Sequence, residues 1–269
     1  MFRTRLLSGI VLVAVLLLFG MIGGDLLLLG LGVVSLIGLF ELYRVCGFQK
    51  SALAWVGYAV TILFYLGLRF TGLPVGENVF LSAILLMIGV LAVYVFTFPR
   101  YPAGQVTAAF FGFFYVAVLL SCIYLTRSLP KGAYLIWLIF LCSWGCDTCA
   151  YCVGVLIGKH KMAPVLSPKK SVEGAIGGVV GAALLTLLYG FVFQGAMELT
   201  TAEIFALAGI SAVGALISMV GDLAASAIKR NYEIKDYGRL IPGHGGILDR
   251  FDSVIITAPI IYLLAFYFL

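Results

Sequence analysis

Apolar runs of bilayer-crossing length follow one another along nearly the whole chain, broken by short polar segments. The hydrocarbon core of a bilayer needs about 20 such residues per helix. On that measure the pattern predicts nine spans, at 6–22, 26–43, 52–68, 79–98, 105–126, 132–157, 172–194, 202–228 and 252–269, the second having the weakest apolar count. Unpaired backbone is not tolerated in lipid, so these runs must be helices. The expected fold is an all-α polytopic integral membrane protein. One string interrupts the pattern. PGHGGILDRFDS (Pro242 to Ser253) sets a histidine, two aspartates and an arginine against the last apolar run.

Composition removes the soluble alternatives. The chain is 63% hydrophobic and 11% charged, and its mean hydropathy of +1.14 lies outside the soluble range. Charge then orients the helices. With Arg3 and Arg5 in the cytoplasm, alternate loops on that side collect fourteen of the seventeen basic residues, leaving only Arg69, Arg127 and Lys131 opposite. The positive-inside rule therefore predicts a cytoplasmic N-terminus, an odd number of spans and the tail FYFL outside. Arg3 and Arg5 before an apolar run also resemble a signal peptide, but no small-x-small cleavage site follows, so an uncleaved first helix is expected. The net charge of +5 sits almost wholly on the cytoplasmic face. There it serves topology, or draws in anionic headgroups and nucleotides. No basic helix or aromatic platform accompanies it, which argues against nucleic acid as a partner.

The acids are spread unevenly. Residues 1–146 hold three, Asp25, Glu41 and Glu77, each near a span end where a solvated structural role is the default; the other nine follow. Residues 1–130 are thus expected to form scaffold helices, and residues 131–269 the catalytic helices with their cytoplasmic polar loops. Asp147 and Asp222 lie inside apolar segments, where a carboxylate is costly unless paired or hydrated. Helical periodicity places Asp147, Tyr151, Gly154 and Gly158 on one stripe, and Ser211, Ser218, Asp222, Ser226 and Lys229 on another. Hydrogen bonding to a neighbouring helix is the plain alternative for either acid. Cys142, Cys146, Cys149 and Cys152 read C-x3-C-x2-C-x2-C, which invites a metal. Strung along roughly 15 Å of one helix, they do not converge as tetrahedral ligands must. Small buried packing residues are the better reading.

Three polar blocks face the expected cytoplasmic side. In GKHKMAPVLSPKKSVEGAIGG (158–178), Pro164 and Pro168 stiffen a loop that brings Lys169 and Lys170 to the start of the seventh span, with Glu173 in its first turn. A helix N-terminus with lysines is a ready phosphate site. At the end of the eighth span, Asp222 is followed by Ser226, Lys229 and Arg230, then by Lys235 and Asp236. In the third block, Gly243, Gly245 and Gly246 permit positive φ and close approach to a ligand. Asp249 and Asp252 come next, at i and i+3, with Arg250 between them. Carboxylates from two helices inside a lysine and arginine collar suit Mg2+, which takes a few carboxylates, waters and substrate phosphates. They also suit transfer of a phosphoryl or nucleotidyl group. No hydrolase elbow or G-x-x-x-x-G-K-[ST] loop is present. The only histidines are His160 and His244. A phosphate nucleophile is already anionic and needs no general base.

GDLAASAIKRNYEIKDYGRLIPGHGGILDRFDS closely resembles the signature of the phosphatidate cytidylyltransferase (CDP-diacylglycerol synthase) family, S-x-x-K-R-x4-K-D-x-G-x2-[hydrophobic]-P-x-H-G-G-x-x-D-R-x-D. Ser226, Lys229, Arg230, Lys235, Asp236, Gly238, Pro242, His244, Gly245, Gly246, Asp249, Arg250 and Asp252 fall in register. DTCAYCVG and SPKKSVEGAIGG also look like family blocks, so the resemblance covers roughly residues 142–253. Val172 stands where an aromatic is expected, and Cys149 and Cys152 replace a small and an aromatic residue; no charged position departs.

The resemblance implies that CTP and phosphatidate give CDP-diacylglycerol and pyrophosphate, with Mg2+ and the option of a second cation. The residues then take roles in that reaction. Asp222 and Asp249 hold the metal, with Asp147 or Asp252 assisting. Lys229, Arg230, Lys235 and Arg250 neutralise phosphates, in one block with Asp236. Ser167, Lys169, Lys170 and Glu173 bind the triphosphate or the lipid phosphate, and Gly245 and Gly246 let backbone approach. His244 donates to a phosphate oxygen or shapes the glycine turn. The expected place is the cytoplasmic (inner) membrane, with the site facing the cytoplasm and open to the inner leaflet; a homodimer is an option. A secondary transporter would show interrupted helices in both halves. A CDP-alcohol phosphotransferase would show D-x2-D-G-x2-A-R, which is absent.

Overall fold

A computed structural model describes the backbone of residues 2–268 and the side chains of residues 8–267. Twelve helices follow in order: α1 (Phe2–Ile22), α2 (Gly24–Val45), α3 (Ala52–Phe70), α4 (Val75–Phe96), α5 (Ala103–Gly112), α6 (Leu119–Arg127), α7 (Gly132–Phe140), α8 (Cys146–Ile157), α9 (Val172–Val192), α10 (Gln194–Met197), α11 (Thr201–Asn231) and α12 (Leu248–Phe268). π-helical segments at Phe113–Val118 and Leu141–Gly145 join α5 to α6 and α7 to α8, giving the continuous rods Ala103–Arg127 and Gly132–Ile157. Among the described residues, eight helices are long and apolar enough to cross a membrane. The protein is thus an all-α polytopic membrane protein. The remaining expected span is α1, of which Ser8–Ile22 is the described apolar part. Arg3 and Arg5, on which the expected orientation leans, lie outside the residues whose side chains are described, as does Leu269.

The proline-stiffened loop is a short antiparallel hairpin, β1 (Lys161–Ala163) with β2 (Ser167–Ser171), in which Lys161 pairs with Ser171. The last helix begins at Leu248, so Asp249 lies in its first turn.

The chain folds as two compact units. One is Met1–Tyr124 with Asp236–Arg250; the other is Leu125–Lys235 with Phe251–Leu269. The string 236–250 therefore packs with the N-terminal helices. In that first unit Tyr43, Phe64 and Phe113 are fully buried. Between membrane helices, where apolar burial gives no preference for partner over lipid, polar contacts fix the packing. The Tyr43 hydroxyl donates to the Ala109 carbonyl at 2.9 Å, Ser35 meets the Tyr65 hydroxyl at 2.8 Å, and the Asn78 amide donates to the Phe64 carbonyl at 3.0 Å.

In the second unit α8 and α9 meet through glycines. A Cβ on Gly178 would lie 2.9 Å from Cys146 Sγ and 3.0 Å from Ala150 Cβ, and one on Gly181 would meet Cys149. Cys146 and Cys149 are thus packing residues, and Cys146 joins Ala182, Ala215 and Met219 in the buried core. Cys142 Sγ lies 3.2 Å from Ser211 Oγ, which also accepts from Thr186 Oγ1 at 2.8 Å. Ser211 belongs to the polar stripe of α11 but serves to lock the helices.

Candidate functional site

In the second unit, the hairpin, one side of α8, the start of α9 and Met219 and Asp222 of α11 line a cavity of about 520 Å³. Small-molecule sites commonly span about 300–1,000 Å³. Asp147, Lys161, Ser167, Lys169, Lys170 and Asp222 supply its charged and polar wall. Each is placed by a local rule. Asp147 sits in the first turn of α8, directly after the π-helical segment. Lys169 and Lys170 are carried by β2, whose last residue, Ser171, caps α9 by accepting the Gly174 amide at 3.1 Å. That cap orients the strand relative to the helix. Ser171→Ala should cost about 1 kcal/mol of stability, read as a lowered unfolding temperature in detergent.

Around Asp222 the charges interlock. Lys170 Nζ pairs with Asp222 Oδ2. Lys229 Nζ stands 3.9 Å from Asp252 Oδ2, both side chains being about nine-tenths buried at 13% and 14% exposure. The Ser253 hydroxyl donates to Asp147 Oδ2 at 3.5 Å. The carboxylates of Asp222 and Asp147 both bear electrostatically on Asp252. Gly221 explains how α11 and α12 come close, since a Cβ there would lie 3.0 Å from the Asp252 carbonyl. Asp147, Asp222 and Asp252 share the cluster with the ammonium groups of Lys170 and Lys229. Carboxylate and ammonium groups thus stand side by side, the donors that a cation and its phosphates require.

Among the described residues no three acidic, histidine or cysteine side chains form a ready-made cation cage. Mg2+ does not require one, because it is held through one or two carboxylates, waters and substrate phosphates. The donor set fits such an ion.

Other expected site residues lie differently. Glu173 accepts the backbone amides of Lys159 at 3.1 Å and His160 at 3.2 Å, and its Oε1 lies 2.5 Å from His160 Nδ1. It ties the turn before β1 to the start of α9. Arg230 is exposed, with Nη1 3.4 Å from the Ile234 carbonyl, and Lys235 and Asp236 are exposed too.

Asp249, Gly245, Gly246 and His244 belong to the first unit. Asp249 is 7% exposed, and its Oδ2 accepts the amides of Tyr237 at 2.8 Å, Gly246 at 2.9 Å and Gly238 at 3.4 Å. Gly243 and Gly245 adopt φ of 79° and 90°, values that a side chain would strain. The Ser8 hydroxyl donates to the Pro242 carbonyl at 3.0 Å and lies 2.8 Å from His244 Nδ1. A hydroxyl proton given to Pro242 leaves Ser8 to accept from Nδ1–H. Arg250 is half-buried.

Besides Lys161 of the hairpin, which lines the cavity, three participants escape sequence reasoning. Glu41 of α2 is 3% exposed; its Oε1 accepts the Ile247 amide at 3.1 Å and its Oε2 the Leu248 amide at 2.9 Å. Arg44, one turn on, donates to the Tyr237 carbonyl. Ser253 reaches Asp147. Only Ser253 had a signal, its place beside Asp252.

A model of the cytidylyltransferase family matches residues 3–268 of the chain. The chain is 32% identical over 264 residues to a phosphatidate cytidylyltransferase of Staphylococcus aureus, spanning 97% of this chain and 98% of that one. It is 31% identical over 263 residues to the enzyme of the same description from Staphylococcus haemolyticus, with the same coverage of both chains. A third, from Staphylococcus epidermidis, is 41% identical over 150 residues, 56% of this chain and 55% of that one.

Proposed function

We infer that this chain, which belongs to the cytidylyltransferase family, is a phosphatidate cytidylyltransferase, an integral membrane enzyme of phospholipid synthesis that makes CDP-diacylglycerol and pyrophosphate from CTP and phosphatidate. The observation that carries the assignment to a site is the cavity of the second unit, where lysines and aspartates line a space of nucleotide size.

In the reaction a phosphate oxygen of phosphatidate attacks the α-phosphorus of CTP. The new O–P bond forms as the bond from that phosphorus to the bridging oxygen breaks, and pyrophosphate leaves with the electron pair. The nucleophile is anionic at neutral pH, so no residue need remove a proton. What the protein must supply is alignment and charge neutralisation. Lys161, Lys169 and Lys170 face the cavity and take up triphosphate charge, with Ser167 as a hydrogen-bond donor. Lys229, paired with Asp252, we assign to the lipid phosphate. Asp222 and Asp147, with Asp252 beside them, would hold Mg2+, which when bound neutralises phosphate oxygens. His244 and Arg250 keep the phosphate-contacting roles that the signature implies. Asp249 we assign to shaping the glycine loop, because its Oδ2 already accepts three amides. The bias of fourteen basic residues supports a cytoplasmic (inner) membrane location with the polar ends inward.

Purified protein in phospholipid micelles should release pyrophosphate only when CTP, phosphatidate and Mg2+ are all present. Absence of pyrophosphate from the complete mixture would overturn the assignment.

A further inference from the structure

Glu41 is a buried acid in the part of the chain with no predicted chemistry, and neither of its oxygens is spent on a side chain. Both accept backbone amides, those of Ile247 and Leu248. These are among the donors left without partners at a helix start, and here the helix is α12. The loop ahead of it closes around the same carboxylate. A Cβ on either Gly238 or Gly246 would run into the Glu41 side chain. Arg44 holds the Tyr237 carbonyl and Ser8 the Pro242 carbonyl, so α1 and α2 grip the loop at three places. Every contact named lies within the first unit.

We propose that Glu41 is a positioning residue for nucleotidyl transfer: it fixes the glycine loop and the first turn of α12, and through them the presentation of His244 and Arg250. This rests on the cytidylyltransferase reading above. Arg250 stands in the first turn of α12, which begins at Leu248. A slip at the two capped amides displaces that turn and the glycine loop before it. A glutamine at position 41 keeps the volume but can offer an acceptor to only one amide, turning its NH2 toward the other. The cavity lysines are untouched, so nucleotide affinity should survive while alignment is lost.

The test measures Glu41→Gln beside wild type in micelles containing phosphatidate and Mg2+. Three readouts are needed: pyrophosphate release against CTP concentration, unfolding temperature, and trypsin cleavage after the exposed Arg239. The proposal expects kcat to fall about 10- to 100-fold with KM for CTP little changed. Cleavage after Arg239 should quicken by about tenfold, at an unfolding temperature near that of wild type. Faster cleavage with unchanged kcat overturns it, as does a loss confined to KM. Should Glu41→Gln fail to fold, Gly246→Ala presses on the same contact with the charge intact, and the same readouts apply. Failure of both to fold overturns the proposal in favour of a purely structural role. If wild type itself releases no pyrophosphate, the enzymatic reading falls, and the cleavage rates still report whether Glu41 holds the loop.

Discussion

Asp222→Asn should lower turnover by about 10²- to 10³-fold, the scale of removing one preorganised charge-stabilising group, while the protein stays folded. Asparagine matches aspartate in size, so α11 and its approach through Gly221 are preserved. What changes is charge. Asp222 is the partner of Lys170 and a neighbour of Asp252 within a cluster of three acids and two lysines. Neutralising it removes one of the carboxylates assigned to the cation and frees Lys170 to hold phosphate too tightly for release. Pyrophosphate release at saturating CTP, with and without raised Mg2+, measures the effect. Partial recovery at high Mg2+ is expected. Near wild-type turnover would remove Asp222 from the machinery.

Gly178→Val should produce the larger structural effect, a loss of about 1–3 kcal/mol or failure to accumulate folded protein. A single Cβ at that position would already lie 2.9–3.0 Å from Cys146 and Ala150, and valine adds two methyl groups with restricted rotamers. Membrane helices associate through such small residues because close backbone approach replaces the hydrophobic drive available in water. The displaced neighbour would be α8, whose first turn carries Asp147. Unfolding temperature in detergent and size-exclusion profile report the first effect. A fall in turnover steeper than the loss of folded protein would report the second. A variant as stable as wild type would contradict the packing described.

Helix positions were legible in the sequence because they follow from the partition of side chains between water and lipid. The rod Gly132–Ile157 matches its expected span, and α3 differs from its own by two residues at the end. The two π-helical segments left no trace in hydropathy, since one extra residue per turn changes facing and not composition. The stripe through Asp147, Tyr151 and Gly154 lies wholly within α8, after the π-helical segment ends, whereas Gly158 follows the end of that helix. The candidate site was legible where charge stands in apolar surroundings, as at Asp147 and Asp222, which line the cavity. It was illegible where a side chain's role depends on a distant partner. Glu41 looks like any acid at a span end, and its partners are backbone amides, which carry no sequence signature. Asp249 shows the converse. Its spacing from Asp252 suggested a shared face, whereas its carboxylate is engaged with the amides of the loop that precedes it.

The grip of Glu41 on Leu248 also bears on how the protein is made. The two residues stand 207 positions apart. At a synthesis rate of about 5–20 residues per second, Glu41 waits roughly 10–40 s for its partners to leave the ribosome. Over that interval its carboxylate needs water or a surrogate donor, until Ile247 and Leu248 have been made. A nascent chain halted before residue 248 should therefore leave Glu41 open to water-borne carboxyl reagents, and the finished protein should shield it.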